Sequence, residues 1–178
     1  MIRDADPEAD AVSCLEIYAP FVSDTTVSFE DTVPTVEEFR ARIVATTRTH
    51  PWLVLEDAGR VVGYAYGSTH RARAAYRWTA EVTVYLAPSH RGVGAGRRLY
   101  EALFERLRRQ GFHLAVAGIT LPNEASVGLH RAMGFRPVGV YERIGWKAGA
   151  WCDVAWFQLD LGDRDDGPPV ELRPPDAK

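Results

Sequence analysis

The sequence predicts an α+β fold: a central, mostly antiparallel, twisted sheet of about seven strands with flanking helices. Three observations carry this. Strand candidates at residues 52–56, 61–67 and 78–86 follow one another with no helix between them, which argues against a single continuous parallel sheet. The clearest helix, residues 93–110, comes only after them and is followed by a strand at 113–119, so a crossover lies near it. Two further strands, 135–144 and 150–161, close the domain through the short connection 145–149.

Each element has a local reason. Residues 2–5 form a short strand, and Asp6-Pro7 supplies a cap and a first-turn proline for a helix whose apolar face is Val12, Leu15, Ile17, Tyr18 and Phe21. Residues 23–33 are polar and Thr-rich, with Val27 and Phe29 embedded, and read as a loop. Thr35 and Glu38 form a capping box for a second helix, with Val36, Phe39, Ile43 and Val44 as its buried stripe. Residues 57–60 make a tight hairpin turn, and 70–77 a basic loop. In the long helix Leu99, Tyr100, Leu103, Phe104 and Leu107 recur at helical spacing, charged residues fill the opposite face, and Gly111 ends it. Asn123 caps a short helix running through Met133. After Gly162 the chain carries four prolines and no apolar period, so 1–162 reads as one domain and 163–178 as a disordered tail.

Composition narrows the function classes. The chain has 178 residues, 46% apolar and 25% charged, with 21 basic and 24 acidic residues for a net charge of −3. That is an ordinary soluble globular composition. It argues against a protein that coats nucleic acid or an anionic membrane, and the arginines lack the interleaved aromatics of a base-stacking surface. The acidic N-terminus has no apolar signal core. Cys14 and Cys152 form no CxxC and no ligand cluster, so two buried thiols in a reducing cytoplasm, and no metal, are expected.

The strongest chemical signal is His90-Arg91-Gly92-Val93-Gly94-Ala95-Gly96-Arg97, a glycine-rich turn between a strand and the best helix. Such a turn aims backbone N–H groups at an anion and lets it approach closely. It lacks the Lys-Ser/Thr pair of a triphosphate loop and does not fit G-x-G-x-x-G. The flanking arginines favour a pyrophosphate. Glu81, a carboxylate in an apolar strand, is either a solvated strand residue or a general base at a cleft. Asn123 reads first as an N-cap, and His130 as a surface or structural histidine.

These residues resemble a known family. Arg91 to Gly96 matches the R/Q-x-x-G-x-G/A motif of the GNAT superfamily of acetyl-CoA-dependent N-acetyltransferases. Further blocks are similar to the phosphinothricin and methionine sulfone acetyltransferases: Ser28-Phe29-Glu30, Pro51 to Val54, Gly63 to Tyr66, Ala75 to Glu81, Leu121-Pro122-Asn123, Leu129-His130, Gly145-Trp146-Lys147 and Gly149-Ala150-Trp151. The similarity spans residues 2–161 with the blocks in family order.

The resemblance implies a splayed strand pair in which the backbone of Val84, Tyr85 and Leu86 holds the pantetheine arm of acetyl-CoA. It implies that the turn of Arg91, Gly92, Val93, Gly94, Ala95, Gly96 and Arg97 holds the pyrophosphate, with Asn123 beside the pantetheine. Glu81 falls on the family's base, and His130 stands where many members place the residue that protonates the thiolate. Phe29, Arg73, Tyr76, Trp78 and Thr79 fall in the region of the amine substrate, Arg73 as a partner for its anionic group. Direct attack in a ternary complex and a homodimer are also implied. One departure stands out: Glu30 and Asp31 follow Phe29 where the herbicide-resistance enzymes have arginine. That leaves room for another small amine, and a non-catalytic CoA-binding sensor is the other rival.

Overall fold

The computed structural model describes residues 1–162 and 167–175. In chain order the elements are β1 (Ile2–Asp4), α1 (Pro7–Ser23), α2 (Val36–Thr46), β2 (Trp52–Asp57), β3 (Arg60–Thr69), β4 (Thr79–Leu86), α3 (Ala95–Gln110), β5 (Leu114–Leu121), α4 (Glu124–Ala132), β6 (Arg136–Lys147) and β7 (Ala150–Asp160). Single 3₁₀ turns lie at Ala74–Tyr76 and Pro88–His90. The seven strands make one sheet in the order β1-β2-β3-β4-β5-β7-β6. Every neighbouring pair is antiparallel except β4 with β5, so the expected α+β architecture is the one observed.

The helices begin where the caps predict. Asp6 accepts from the N–H groups of Glu8 and Ala9, and the Thr35–Glu38 capping box is present in both directions. Arg3 forks onto both carboxylate oxygens of the buried Asp10, at 2.6 and 2.8 Å, which fastens β1 to α1. Two helical positions differ from expectation: Val12 and Val44 are exposed, and Ala11, Cys14 and Val22 fill the buried face of α1 instead. The long helix starts at Ala95, because Gly92 and Gly94 both adopt positive φ and hold Val93 in the turn.

Two cores flank the sheet. On one face Ala80, Val82, Ala115 and Ala117 meet Leu99, Leu103 and Leu107 of α3. On the other, Trp52, Val54 and Tyr64 meet α1 and α2. Alternation along β4 therefore sends Ala80 and Val82 under α3, and Glu81, Thr83 and Tyr85 to the opposite face. Cys14 and Cys152 are both buried and free.

Of the expected tail, residues 163–166 and 176–178 lie outside the described residues. Residues 170–173 are packed rather than loose. The Trp78 indole donates to the Val170 carbonyl at 2.8 Å, the Gln110 amide donates to the Arg173 carbonyl at 3.0 Å, and Leu172 rests on the core. Two isolated apolar residues among prolines carry no period, so this strap had no signature in the sequence. No helix of the described residues is long and apolar enough to cross a membrane.

Candidate active site

β4 and β5 run side by side only from Thr79 to Glu81, opposite Leu114 to Val116. Beyond Glu81 they part. β4 continues to pair with β3 along its other edge, as far as Leu86 opposite Gly63. From Val82 onward, β4 therefore presents a row of main-chain groups with no strand beside them, the arrangement an extended amide-bearing ligand can pair with. A cleft lies in the fork, lined by Val82 to Tyr85, by Ala117 to Thr120, and by Asn123, Ser126 and His130. Through Val84, Tyr85, Asn123 and Ser126 it continues into a cavity of about 460 Å³ that ends over the glycine-rich turn.

The residues expected to hold the cofactor mostly converge on that cavity. Val84, Leu86, Arg91, Gly92, Gly94, Ala95, Gly96, Arg97 and Asn123 line it. Tyr85 also borders it, but its ring packs on Tyr18, Phe21 and Tyr64, leaving its backbone as the contribution to the fork. Gly94 caps α3 with φ +82° and no side-chain acceptor, so the first N–H groups of the helix face the cavity unsatisfied, at its positive end. A Cβ on Gly92 or Gly94 would meet nothing within 4 Å; the space above them is open. Gly96 differs: a Cβ there would lie 3.1 Å from Leu129, so this glycine also lets α3 and α4 pack closely. Val93 is 68% exposed and lies outside the lining. Asn123 both caps α4, accepting from the Ser126 N–H at 3.1 Å, and borders the cavity.

Glu81 is the last residue of the parallel pairing and stands where the fork opens. Its Oε2 is 3.2 Å from Nδ1 of His70, at the start of the basic loop. His70 sits edge-on to Trp156 and Tyr76. With Thr79 and Tyr141 these rings line a second pocket of about 360 Å³. Trp156 lies on Gly118 of β5, where a Cβ would be 3.3 Å from the ring, so one side chain backs both pocket and fork. His70 and Trp156 lie far apart in sequence, and no motif links them.

The expected substrate residues divide. Tyr76 and Thr79 line this second pocket. Arg73 lines a neighbouring cavity of about 390 Å³ with Arg48, Arg77 and Arg173, and Arg71 and Thr79 border both. Trp78 turns away: its N–H is used by Val170 and its ring lies under Arg77, 3.6 Å from the guanidinium. Phe29 covers Gly145 on β6. Glu30, the residue that departs from the resemblance, does not point a free charge at the site. Arg42 grips both of its oxygens and the Tyr18 hydroxyl donates to it, and that guanidinium holds its carboxyl below the usual carboxylate range. Asp31 is exposed.

His130, on the buried face of α4, is 3% exposed. Its Nδ1 donates to the Ser126 carbonyl at 2.8 Å, and its Nε2 faces the Tyr100 hydroxyl at 3.1 Å. Burial lowers its pKa. Tyr100 also borders the fork, a contribution hidden in the sequence because its spacing marks it only as a core residue. Among the described residues, no group of three or more His, Cys, Asp or Glu is arranged to hold a metal ion.

Comparison with known proteins agrees with this geometry. The family described as Acetyltransferase (GNAT) domain matches residues 4–156. The phosphinothricin N-acetyltransferase of Streptomyces viridochromogenes is 37% identical over 166 residues, 93% of this chain and 90% of that protein. The L-methionine sulfoximine/L-methionine sulfone acetyltransferase of Pseudomonas paraeruginosa is 41% identical over 162 residues, 90% of this chain and 94% of that protein. The phosphinothricin acetyltransferase of Sinorhizobium meliloti, solved in complex with acetyl-CoA, has a TM-score of 0.92 at 37% identity and covers 98% of this chain and 95% of that one.

Proposed function

This chain belongs to the GNAT acetyltransferase family, and on that premise we propose that it transfers the acetyl group of acetyl-CoA to the amino group of a small amino acid analogue. Phosphinothricin, methionine sulfone and methionine sulfoximine are the acceptor type. The observation that carries the reading is the continuous cleft from the glycine-rich turn to the fork, with Glu81, in contact with His70, as the last residue before β4 and β5 part. Acetyl-CoA supplies the activated acyl group when bound.

The chain's own residues do the rest. The N–H groups at the start of α3, with Arg91 and Arg97, hold the pyrophosphate. The unpaired edge of β4 from Val84 to Leu86 aligns the pantetheine arm. Glu81 takes a proton from the arriving ammonium, directly or through water. Main-chain N–H groups on the unpaired edge of β4 beside the fork stabilise the oxyanion. The hydrogen-bonded pair of Tyr100 and His130 lies beside the cleft where a thiolate must regain its proton. The pairing of Glu30 with Arg42 of α2 removes the electrostatic objection that Glu30 raises to an anionic acceptor, because its carboxylate is neutralised by that guanidinium. Arg71, at the border of the second pocket, is as well placed as Arg73 to meet the acceptor's anionic group.

Two finer features belong to the same reading. The chain works in the cytoplasm, a reading supported by its two free cysteines. It pairs with itself: Val138, Val140, Tyr141, Ile144, Trp146 and Trp151 of β6 and β7 are each at least half exposed, an apolar band suited to a second copy. Light scattering at micromolar concentration finds a species near twice 19.8 kDa if this is right, and only the single chain if it is wrong.

The deciding experiment is thiol release from acetyl-CoA, followed with Ellman's reagent across an amine panel containing the three analogues. Amine-dependent release with at least one of them is expected. Binding of acetyl-CoA with no release for any amine would favour the sensor, and release only with polyamines or peptides would overturn the substrate class.

A further inference from the structure

Lysine occurs in this chain only at Lys147 and Lys178, and the remaining strongly basic side chains are all arginines. Lys147, the last residue of β6, is 9% exposed. Its ammonium donates to three main-chain carbonyls: Val22 at 2.8 Å, Ser28 at 2.5 Å and Glu30 at 2.9 Å. A buried ammonium is costly unless its donors are satisfied, and here three N–H groups meet three acceptors. The planar fork of arginine does not converge on three carbonyls in this way.

The carbonyls of Ser28 and Glu30 flank Phe29. The ring of Phe29 lies on Gly145, where a Cβ would come within 2.3 Å of it. Gly145 and Lys147 are two residues apart on one strand and so face the same way. The glycine seats the ring while the lysine holds the backbone on either side of it. The clamp joins two walls of the site. Val27, in the clamped loop, borders the cofactor cleft, and Tyr141 and Trp156 of the β6–β7 hairpin border the second pocket.

We infer that Lys147 is a positioning residue for acetyl transfer, locking the 23–33 loop to the β6–β7 hairpin so that the cofactor cleft and the acceptor pocket keep a fixed relation. The inference rests on the proposed function for its catalytic consequence, but the clamp can be tested without it. Lys147→Met keeps the apolar stem and removes the ammonium. Hydrogen exchange of the ligand-free protein should then quicken at the amides of 23–33 and stay unchanged in β2 to β5. The KM for the amine should rise at least about tenfold while the KM for acetyl-CoA stays within about twofold, and Lys147→Arg should not restore either loop protection or amine KM. If Lys147→Met fails to fold, Lys147→Arg carries the same readouts. Unchanged exchange at 23–33, an even loosening of the whole sheet, or full rescue by arginine would overturn the clamp. A loosened loop in a protein whose wild type acetylates no amine would overturn the proposed function instead.

Discussion

The hydroxyl of Tyr100 donates to Nε2 of His130 at 3.1 Å, while Nδ1 of the same ring points at the Ser126 carbonyl at 2.8 Å. A carbonyl only accepts, so Nδ1 carries the hydrogen and Nε2 is left as an acceptor. With burial disfavouring the imidazolium, the ring is neutral at pH 7. A free imidazolium is thus not waiting in the cleft.

The first prediction tests that tautomer. Nitrogen NMR of the ring should find Nδ1 protonated and Nε2 unprotonated at neutral pH, with no titration near 6.5. Tyr100→Phe leaves Nε2 buried without a donor and should lower unfolding stability by about 1–3 kcal/mol in urea titration. A ring protonated on both nitrogens at pH 7 would refute the assignment.

The second prediction concerns Gly94. Its φ of +82° is poor for a branched residue, and the space above it is open toward the cavity. Gly94→Val should cost the ligand-free protein about 1–2 kcal/mol in backbone strain. It should also abolish the thermal stabilisation that acetyl-CoA gives the wild type. Equal ligand-induced shifts in the two proteins would remove this turn from the cofactor site.

Much of this site is legible in the chain, for a physical reason that also marks where legibility stops. The turn at Arg91 to Arg97 and the helix after it are local: glycine spacing, helical periodicity and the free N-terminus lie within one stretch. Glu81 stands out because a carboxylate is unusual between Ala80 and Val82. The fork depends on where β4 and β5 stop pairing, and no local pattern encodes that; here it follows from the resemblance. The partners His70 for Glu81, Tyr100 for His130 and Arg42 for Glu30 lie 11, 30 and 12 residues away, so only the fold brings them together. Trp78 reads as part of a substrate loop, yet its N–H is claimed by a strap whose two apolar residues give no periodic signal.

The third prediction is a pH dependence of stability. His50 is buried on Phe112, and burial lowers its pKa from 6.5 to about 4. The unfolded chain binds this proton more readily than the folded one. The stabilisation is therefore complete above pH 6.5, declines as the pH falls below it, and is lost by about pH 4. The shift corresponds to about 3 kcal/mol at most. His130, lowered in the same direction by burial, adds a contribution of the same sign below pH 6.5. Melting temperatures should therefore fall between pH 6.5 and 4.5, and His50→Leu should reduce that slope without abolishing it. A slope unaltered by the substitution would contradict the buried neutral state.

The last prediction separates the roles of Glu81 and His70. Gln is nearly isosteric with Glu and can still accept a hydrogen bond from His70, but it does not accept a proton at neutral pH. If Glu81 is the base, Glu81→Gln should leave acetyl-CoA affinity near wild type, because the cofactor is held by β4 and the turn. Turnover should fall about 10²–10⁴-fold. Raising the pH should recover part of the loss, since more of the substrate then arrives as free amine. His70 touches Glu81 through a single contact of 3.2 Å and also frames the acceptor pocket. As an orienting neighbour, it should matter less: His70→Asn should raise the amine KM and lower turnover by a smaller factor than Glu81→Gln. If instead Glu81 only docks the ammonium, its loss raises KM more than it lowers turnover, and high pH rescues little. A His70→Asn defect exceeding that of Glu81→Gln would transfer the base to the imidazole, with the carboxylate as its orienting partner.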